Sequence, residues 1–147
     1  MSKIDYKSAG VDIDAGSETV DRIKDNVKST FTPHVLTGLG SFGSLYDLKS
    51  VLKEYENPVM VQSIDGVGTK TIIARKLKIF DTIGIDLLSA CANDILVMGA
   101  RPLTFLDYIA NDTLKPEIIE EIVSGMVKAC QNTGVSLVGG ELSLIHI

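Results

Sequence analysis

The stretch PVMVQSIDGVGTK, residues 58–70, combines the pattern of a β-strand with the start of a helix. Its first half is rich in β-forming residues and lies between Asn57-Pro58 and Asp65-Gly66, which both favour turns. We therefore predict a strand over Pro58–Ile64. Apolar residues then recur at helical spacing, which predicts a helix over Thr69–Leu77. A strand that turns directly into a helix at a pair of glycines indicates a fold that mixes both kinds of element.

The alternation of helices and strands continues on both sides of this stretch. The clearest helical stripe extends from Ile119 to Cys130 and follows Pro116, a residue that suits the first position of a helix. The class is α/β or α+β, and we predict an α+β fold in which helices pack on a mixed sheet. The remaining predicted elements are helices over Ser17–Lys28, Thr82–Met98 and from Pro116 to Cys130, and strands over Leu103–Ile109 and Val135–Val138.

Length and composition describe one globular domain. The chain has 147 residues, of which 45% are hydrophobic and 22% charged. These values argue against intrinsic disorder, and the length is too short for two well-cored domains. Residues 1–16 are polar and lack a sustained period, so we expect them to form an extended arm. Cys91 and Cys130 have no CxxC spacing and lie in apolar helical patterns, so we interpret both as small buried hydrophobes.

Charge and hydropathy argue against several function classes. Nineteen acidic and fourteen basic residues give a formal net charge of −5, without a dense cluster of Lys and Arg. We therefore expect no nucleic-acid partner. No apolar run approaches the ~18 residues of a membrane-spanning helix, and the first residues lack the pattern of a signal peptide. We predict a cytoplasmic protein that does not associate with membranes.

The turn Asp65-Gly66-Val67-Gly68-Thr69-Lys70 has the chemistry of a polyphosphate site. Its glycines allow close approach of a phosphate to the backbone, and free N–H groups at a helix start favour anions. Lys70 would neutralise negative charge, and Asp65 would hold a divalent cation. The turn is not a Walker A loop, because Thr69 stands between Gly68 and Lys70. A tight strand-to-helix connection without a ligand is the alternative, since Asp-Gly-x-Gly is a common turn sequence.

Two further acidic residues stand out. Asp94 has only apolar neighbours at helical spacing, so we expect it on a buried face. A carboxylate there is costly unless it binds a metal, caps a backbone group or pairs with a buried cation. Glu141 follows Gly139-Gly140 at the end of a predicted strand. Together with Asp65, these residues make a set of separated carboxylates, which suits Mg²⁺ bound with substrate phosphates.

A second glycine cluster, Gly38-Leu39-Gly40-Ser41-Phe42-Gly43, precedes this region. Its glycine spacing matches a dinucleotide fingerprint, but no strand precedes it in a βαβ unit, so a Rossmann fold is not supported. A flexible lid over phosphates and an ordinary surface loop both remain open. In the second case Leu39 and Phe42 need a burial site of their own. We assign no catalytic role to His34 or His146.

Six ordered segments resemble the amino-terminal half of the phosphoribosylformylglycinamidine cyclo-ligase (AIR synthetase) family. The resemblance extends from residue 5 to residue 141. The first segment distinguishes this family from its relatives formylglycinamidine ribonucleotide synthetase, selenophosphate synthetase and thiamine monophosphate kinase, which remain the alternatives within the superfamily. The segments are Tyr6–Gly16, Gly38–Gly43, Asp65–Lys70, Asp81–Asp86, Asn93-Asp94 and Ser136–Glu141.

The resemblance implies an ATP-dependent ring closure in purine biosynthesis. In this family ATP phosphorylates the formyl amide oxygen of formylglycinamidine ribonucleotide, an amidine nitrogen attacks the activated carbon, and aminoimidazole ribonucleotide, ADP and phosphate are released. Lys70 and Asp65 would be catalytic, and Asp65, Asp94 and Glu141 would hold Mg²⁺. The implied nucleotide contacts are Gly38, Gly40, Phe42, Gly43, Asp65, Gly66, Gly68, Thr69 and Lys70, with Lys7 and Lys24 as further candidates for phosphate contact.

The resemblance also implies a homodimer. In the family the amino-terminal domains of two protomers form a β-barrel, so the predicted strands Val59–Ile64 and Leu103–Ile109 would be partly intermolecular. The family's first glycine loop usually reads Gly-Gly-Leu-Gly-Gly-Phe-Gly, whereas this chain has Thr37 and Ser41 at two of those positions. Residues of this size fit if their φ angles stay negative, with reduced loop mobility as the cost.

The end of the chain departs from the family. Residues 142–147 match no family pattern, and we interpret them as a non-native or mispredicted tail. Residues 17–141 would then be an ATP-binding amino-terminal domain whose carboxy-terminal domain is absent, and we expect the chain alone to be inactive. A non-catalytic nucleotide-binding or dimerisation module is the alternative from a different function class.

Overall fold

The computed structural model describes residues 12–41 and 43–144. These residues form a mixed helix and strand domain, as the alternating pattern predicts. In chain order its elements are α1 (Ile13–Lys28), α2 (Lys49–Leu52), α3 (Lys70–Leu77), α4 (Asp81–Val97), β1 (Thr104–Asn111), α5 (Pro116–Thr133) and β2 (Ser136–Leu144).

Strands β1 and β2 form a parallel two-stranded sheet. The register pairs Thr104 with Ser136 at one end and Asn111 with Leu144 at the other, with an irregularity between Phe105 and Leu106. Parallel strands need a long crossover connection, and α5 provides it. Both predicted strands are confirmed, but β2 is longer than predicted because its second half continues to pair with β1.

Helix α5 carries the centre of the core. It begins at Pro116 and ends before Gly134, whose φ of 68° gives the left-handed conformation that glycine adopts most readily. Its apolar stripe packs against α1, α4 and the sheet. The most deeply buried side chains of this helix are Ile119, Val123, Met126, Val127 and Cys130, each at most 3% exposed. The predicted helix is therefore confirmed, as is the interpretation of Cys130 as a buried hydrophobe.

Helices α3 and α4 also agree with the predicted ranges to within one residue at each end. Helix α1, in contrast, begins earlier than predicted. It starts at Ile13, not at Ser17, because the carboxylate of Asp12 accepts hydrogen bonds from the N–H groups of Asp14 and Ala15 at 3.1 Å. An N-cap of this kind satisfies donors of the first helical turn. The prediction of an extended arm over residues 1–16 is wrong for residues 13–16, and residues 1–11 lie outside the described part.

The predicted strand over Pro58–Ile64 does not form. Residues 58–64 carry no regular secondary structure, and Val59, Met60 and Ile64 are 85%, 77% and 95% exposed. A strand needs a neighbour to pair its backbone groups, and within the described residues β1 and β2 form a sheet with no third strand. The segment therefore has a β-forming composition but no described strand with which to pair.

Residues 142–144, which we assigned to a tail, continue β2 opposite Ile109, Ala110 and Asn111. Residues 145–147 lie outside the described part of the chain. None of the helices in the described ranges is long and apolar enough to cross a membrane.

Candidate functional site

The segment of residues 63–70 lies along helix α4. The hydroxyl of Ser63 donates a hydrogen bond to the carboxylate of Asp94 at 2.9 Å. The thiol of Cys91 is 3.9 Å from the backbone carbonyl oxygen of Asp65, within reach of a weak sulfur hydrogen bond. Burial raises the pKa of this thiol, which disfavours its reactive thiolate form. These contacts place Asp65 and Asp94, two of the predicted site residues, on neighbouring elements.

The turn that follows leaves backbone donors available. The N–H of Gly66 donates to the side chain of Asp65 at 2.7 Å, and Gly68 has a φ of 57°, a left-handed conformation that glycine adopts most readily. Thr69 caps α3 without a side-chain hydrogen bond. Within the described residues, no hydrogen bond occupies the N–H groups of Gly68, Thr69 and Lys70. Free donors at the start of a helix form a ready anion site.

Lys70 stands at the first position of α3 and donates to the carboxylate of Asp86 on α4 at 2.5 Å. Both side chains are accessible, with 63% and 35% of their surface exposed. Sequence reasoning gave Asp86 no role of its own. A signal existed, since Asp86, Ala90 and Asp94 are spaced by four residues and therefore follow one side of the helix.

Asp94 corrects one expectation. It is exposed instead of buried, and so are Val97 and Met98 beside it, at 82% and 70%. The apolar spacing predicted a covered face, but no described element covers this end of α4. The carboxylate therefore avoids the desolvation cost that we expected, and its hydrogen-bond partner is the hydroxyl of Ser63.

No described contact connects Glu141 with Asp65 or Asp94. It is exposed on β2, opposite Tyr108 of β1. The described residues contain no group of three or more His, Cys, Asp or Glu side chains positioned to hold a metal. The described residues therefore supply no all-protein metal cage, and a Mg²⁺ ion bound here would have to take most of its ligands from phosphate and water.

The residues on either side of the predicted glycine loop, residues 38–43, contact each other at its base. Val35 and Tyr46 form an antiparallel bridge, and the rings of His34 and Tyr46 lie 5.6 Å apart. Leu39 packs against the core, which answers the question of where this apolar side chain is buried. Phe42 lies outside the described residues.

Of the two predicted lysines of the amino-terminal region, Lys24 makes no described contact with the 63–70 segment. Lys24 lies on α1 and pairs with Asp21 at 2.8 Å, and this hydrogen bond raises the pKa of its ammonium group. Lys7 lies outside the described residues.

Asp107 is an acidic residue that sequence reasoning missed. It lies on β1 opposite Gly140, and burial raises its pKa to about 6. A Cβ atom at position 140 would come within 1.9 Å of its carboxylate oxygen Oδ1, so any side chain there would displace the Asp107 carboxylate. The strand period could have found it, because Asp107 shares a face with Phe105 and Ile109 of the core.

Comparison with known proteins connects this arrangement to a family. The sequence profile described as "AIR synthase related protein, N-terminal domain" matches residues 46–146. The chain belongs to this family. The match includes the 63–70 segment, α4 and the whole sheet, whereas α1 and the predicted glycine loop precede it.

Three relatives of this chain carry the name phosphoribosylformylglycinamidine cyclo-ligase. The protein of Leptospira interrogans (serovar Lai) is 55% identical over 95% of this chain and 40% of its own length. The protein of Brevibacillus brevis is 54% identical over 92% of this chain and 39% of its own. The protein of Carboxydothermus hydrogenoformans is 50% identical over 96% of this chain and 40% of its own. The chain thus spans about 40% of the length of these relatives.

Proposed function

We propose that this chain is the nucleotide-binding part of an ATP-dependent ligase that converts formylglycinamidine ribonucleotide to aminoimidazole ribonucleotide. The names of its relatives support the activity. The observation that carries the nucleotide assignment is the turn of residues 65–70. At the start of one helix it offers the Lys70 ammonium and three N–H groups that bond to no other residue in the described part of the chain. Such a cradle fits the charge and the acceptor oxygens of a polyphosphate.

Each predicted site residue has a role in this proposal. Gly66, Gly68, Thr69 and Lys70 would bind phosphate oxygens, and Asp65 with Asp94 would hold Mg²⁺. Glu141 would join the metal site only in the complex with nucleotide, since its described contacts do not connect it to the other two carboxylates. ATP would supply the phosphoryl group that activates the formyl amide oxygen. The chain would orient the phosphates and offset their charge, which is the main protein contribution to phosphoryl transfer.

The glycine loop would cover the nucleotide through Gly38, Gly40, Phe42 and Gly43. Lys7 and Lys24 are the remaining candidates for phosphate contact, and Lys24 would first have to leave Asp21. The ion pair between Lys70 and Asp86 is exposed, and an exposed ion pair opens at little cost. Lys70 could therefore leave Asp86 and contact a phosphate.

The relatives extend beyond the region that this chain matches, and we propose that the amidine substrate is bound mainly there. The chain by itself would then bind ATP without turning over formylglycinamidine ribonucleotide. We retain residues 17–141 as the proposed domain, and residues 142–144 continue its strand β2.

We further propose that the domain forms a homodimer through its sheet, which would extend into a β-barrel. The outer face of β1 exposes 63% of Leu106 and 59% of Tyr108, and residues 58–64 offer β-forming side chains without a partner strand. Pairing of the 58–64 segment next to the sheet of a second copy would bury both surfaces.

The nucleotide proposal is tested by isothermal titration of MgATP into the chain. We expect saturable, Mg²⁺-dependent binding that is weakened at least tenfold in Asp65→Ala and Asp94→Ala, since each variant loses a charged ligand (~1.4 kcal/mol per tenfold). Glu121→Ala is the control, because it removes an exposed carboxylate of α5 that makes no described contact. Unchanged affinity in both aspartate variants would contradict the assignment.

The alternative is a dimerisation module without nucleotide chemistry, which the exposed apolar side chains of β1 favour. Sedimentation velocity distinguishes the two. A dimer that dissociates in Leu106→Asp but persists in Leu48→Asp, an exposed leucine outside the sheet, would support the interface. Such a dimer with no measurable ATP binding would favour the module, and a monomer at high concentration would contradict the barrel.

Turnover of formylglycinamidine ribonucleotide by the chain alone would contradict our proposal that the amidine substrate is bound mainly outside this chain.

A further inference from the structure

The segment of residues 63–70 runs along helix α4 in the opposite chain direction. Residues that come later in the segment contact residues that come earlier on the helix. In order along the segment, the contacting pairs are Ser63 with Asp94, Asp65 with Cys91, and Lys70 with Asp86. An α-helix rises about 1.5 Å per residue, so these contacts span about 12 Å of α4. The segment is therefore attached to the helix at both of its ends.

The hydroxyl of Ser63 provides the strongest described polar contact in the first half of this segment. Within the described ranges, no backbone hydrogen bond joins residues 56–67 to any other part of the chain. The thiol of Cys91 makes a weak contact with the carbonyl of Asp65 at 3.9 Å, whereas Ser63 donates to a charged carboxylate at 2.9 Å. Hydrogen bonds to charged groups are roughly twice as strong as neutral ones. The polar attachment of the residues before the turn thus depends mainly on one side chain.

The side of the segment that lies next to α4 carries Ser63. Exposure alternates over four residues, since Val61 and Ser63 are half-buried, whereas Gln62 and Ile64 are exposed. This alternation is the period of two that extended backbone imposes on side chains. The residue placed against the helix nearest to the turn is therefore a hydrogen-bond donor instead of an apolar side chain.

The bond from Ser63 leaves the negative charge of Asp94 intact. The hydroxyl is a neutral donor that bonds to Oδ2, and no described residue donates to Oδ1 of the same carboxylate. Asp86 differs, because the ammonium of Lys70 pairs with its carboxylate. A hard divalent cation is attracted by an ionised carboxylate with a free oxygen, and a hydrogen bond to the other oxygen orients such a ligand. Asp94 is thus better suited than Asp86 to contact a cation.

We propose that Ser63 is a positioning residue that holds residues 63–65 against α4 and orients the Asp94 carboxylate for the divalent cation of a bound nucleotide. This inference rests on the proposed function in one respect, because it takes Asp94 to contact the Mg²⁺ ion of ATP. When the bond from Ser63 forms, the carboxylate is oriented before the ligand arrives. When the bond is lost, the carboxylate has to be ordered during binding, and the affinity for MgATP falls.

The attachment of residues 63–65 is tested without any nucleotide. The half-buried thiol of Cys91 lies against the backbone of Asp65, so its alkylation by iodoacetamide reports how often this segment leaves α4. Ser63→Ala removes the hydroxyl, and we expect Cys91 to be alkylated about three- to tenfold faster, the value of one ordinary hydrogen bond. Ser63→Thr keeps the hydroxyl, so we expect a rate within about twofold of the parent rate.

Two controls accompany this measurement, in which mass spectrometry of peptides separates the two cysteines. Gln62→Ala changes the exposed neighbour of Ser63, which makes no described hydrogen bond, and should leave the alkylation of Cys91 unchanged. Cys130 is fully buried in the core, so its alkylation reports global unfolding and should be equal in every variant. An unchanged Cys91 rate in Ser63→Ala, or an acceleration that Cys130 shares, would overturn the attachment.

The orientation of Asp94 is tested by isothermal titration of MgATP in a double-mutant cycle. We expect Ser63→Ala to raise the dissociation constant about three- to tenfold in the parent chain and less than about twofold in Asp94→Ala, where no carboxylate remains to be oriented. Ser63→Thr and Gln62→Ala should bind MgATP with the parent affinity. Equal losses in both backgrounds, or no loss in the parent chain, would overturn the proposal.

Failure of the proposed function would give a different result. A parent chain that bound no MgATP would refute the nucleotide site and with it the role of Asp94 toward a cation. The alkylation rate of Cys91 would still decide whether Ser63 holds its segment on α4.

Discussion

Gly84 of α4 and Gly125 of α5 meet where these two helices cross, and each lies against the backbone of the other helix. A Cβ atom on Gly84 would come within 2.0 Å of the carbonyl oxygen of Ile122. A Cβ atom on Gly125 would come within 1.7 Å of the carbonyl oxygen of Asp81. Neither distance leaves room for a methyl group, so the close approach of α4 and α5 depends on both glycines.

We expect Gly84→Ala and Gly125→Ala each to lower the free energy of unfolding by about 3 kcal/mol, because rigid backbone must shift to admit the methyl group. Denaturation in urea measures the change. Gly16→Ala is the matched control, since a Cβ atom on this α1 glycine meets nothing within 4 Å. It should leave stability unchanged or raise it by up to about 1 kcal/mol through helix propensity. Equal effects at Gly84 and Gly16 would contradict the packing argument.

Ser136 joins the start of β2 to the loop after α1. Its fully buried hydroxyl accepts a hydrogen bond from the N–H of Thr32 and donates one to the carbonyl of Thr30, both at 3.1 Å. Ser136→Ala leaves both backbone groups without this partner, so we expect a loss of about 2 kcal/mol in thermal or urea unfolding. Ser89→Ala, at an exposed serine of α4, should change stability by less than about 0.5 kcal/mol.

Asp107 makes stability depend on pH in the opposite direction to most carboxylates. Burial raises its pKa to about 6 in the folded chain, above the ordinary value of 3.8. The folded state therefore holds the proton more tightly than the unfolded state. The stability that protonated Asp107 contributes is fully present below about pH 4 and is lost as the pH rises through about 6. The loss lowers the free energy of unfolding by about 3 kcal/mol.

Asp107→Asn tests this dependence, because the amide cannot ionise. We expect the variant to gain stability relative to the parent as the pH rises from 4 to 7. Carboxylates elsewhere titrate in both proteins and cancel in the difference. The facing thiol of Cys130 has a pKa raised to about 12 by burial and stays protonated throughout. Parallel curves of unfolding free energy against pH would refute the role of Asp107.

Lys70 should contribute to nucleotide affinity more than to folding. Its pair with Asp86 is exposed, so we expect Lys70→Gln to change the unfolding free energy by less than about 1 kcal/mol. The loss of a charge-assisted contact to phosphate should raise the dissociation constant of MgATP about tenfold or more. Lys76→Gln, which removes another exposed lysine of α3, is the matched control for net charge. Equal affinities of the two variants would exclude a phosphate contact for Lys70.

The sequence predicts those elements that carry their own signals. Helix α5 has a long apolar stripe with proline at its start and glycine after its end, and it forms as predicted. The start of α1 was wrong because Asp12 and Ser17 are both good N-cap residues, and sequence alone does not decide between them. The missing strand over residues 58–64 and the exposure of Asp94 have a common cause. Periodicity shows which side chains suit burial, but it does not supply the surface that covers them.

The candidate site was predictable to a similar extent. Asp65, Lys70 and the glycines of the turn could be proposed from local sequence alone, because the sequence itself carries their chemistry, and their roles stay predictions. Asp86 and Ser63 were missed because their roles come from contacts with residues far along the chain. Thr37 was noticed as a departure from the family pattern, and its hydrogen bond to Leu45 could be found only in three dimensions.

Most of the buried core cluster lies in one continuous stretch, from Phe105 on β1 through α5 to Leu137 on β2. The segment of residues 63–70 lies outside it and is attached to α4 mainly by side-chain contacts. Residues that keep the chain folded are thus largely separate from those that we propose to bind nucleotide. Variation in the second set can alter ligand preference while the protein remains as abundant and as resistant to proteases as before, which makes this domain a tolerant scaffold for evolutionary change.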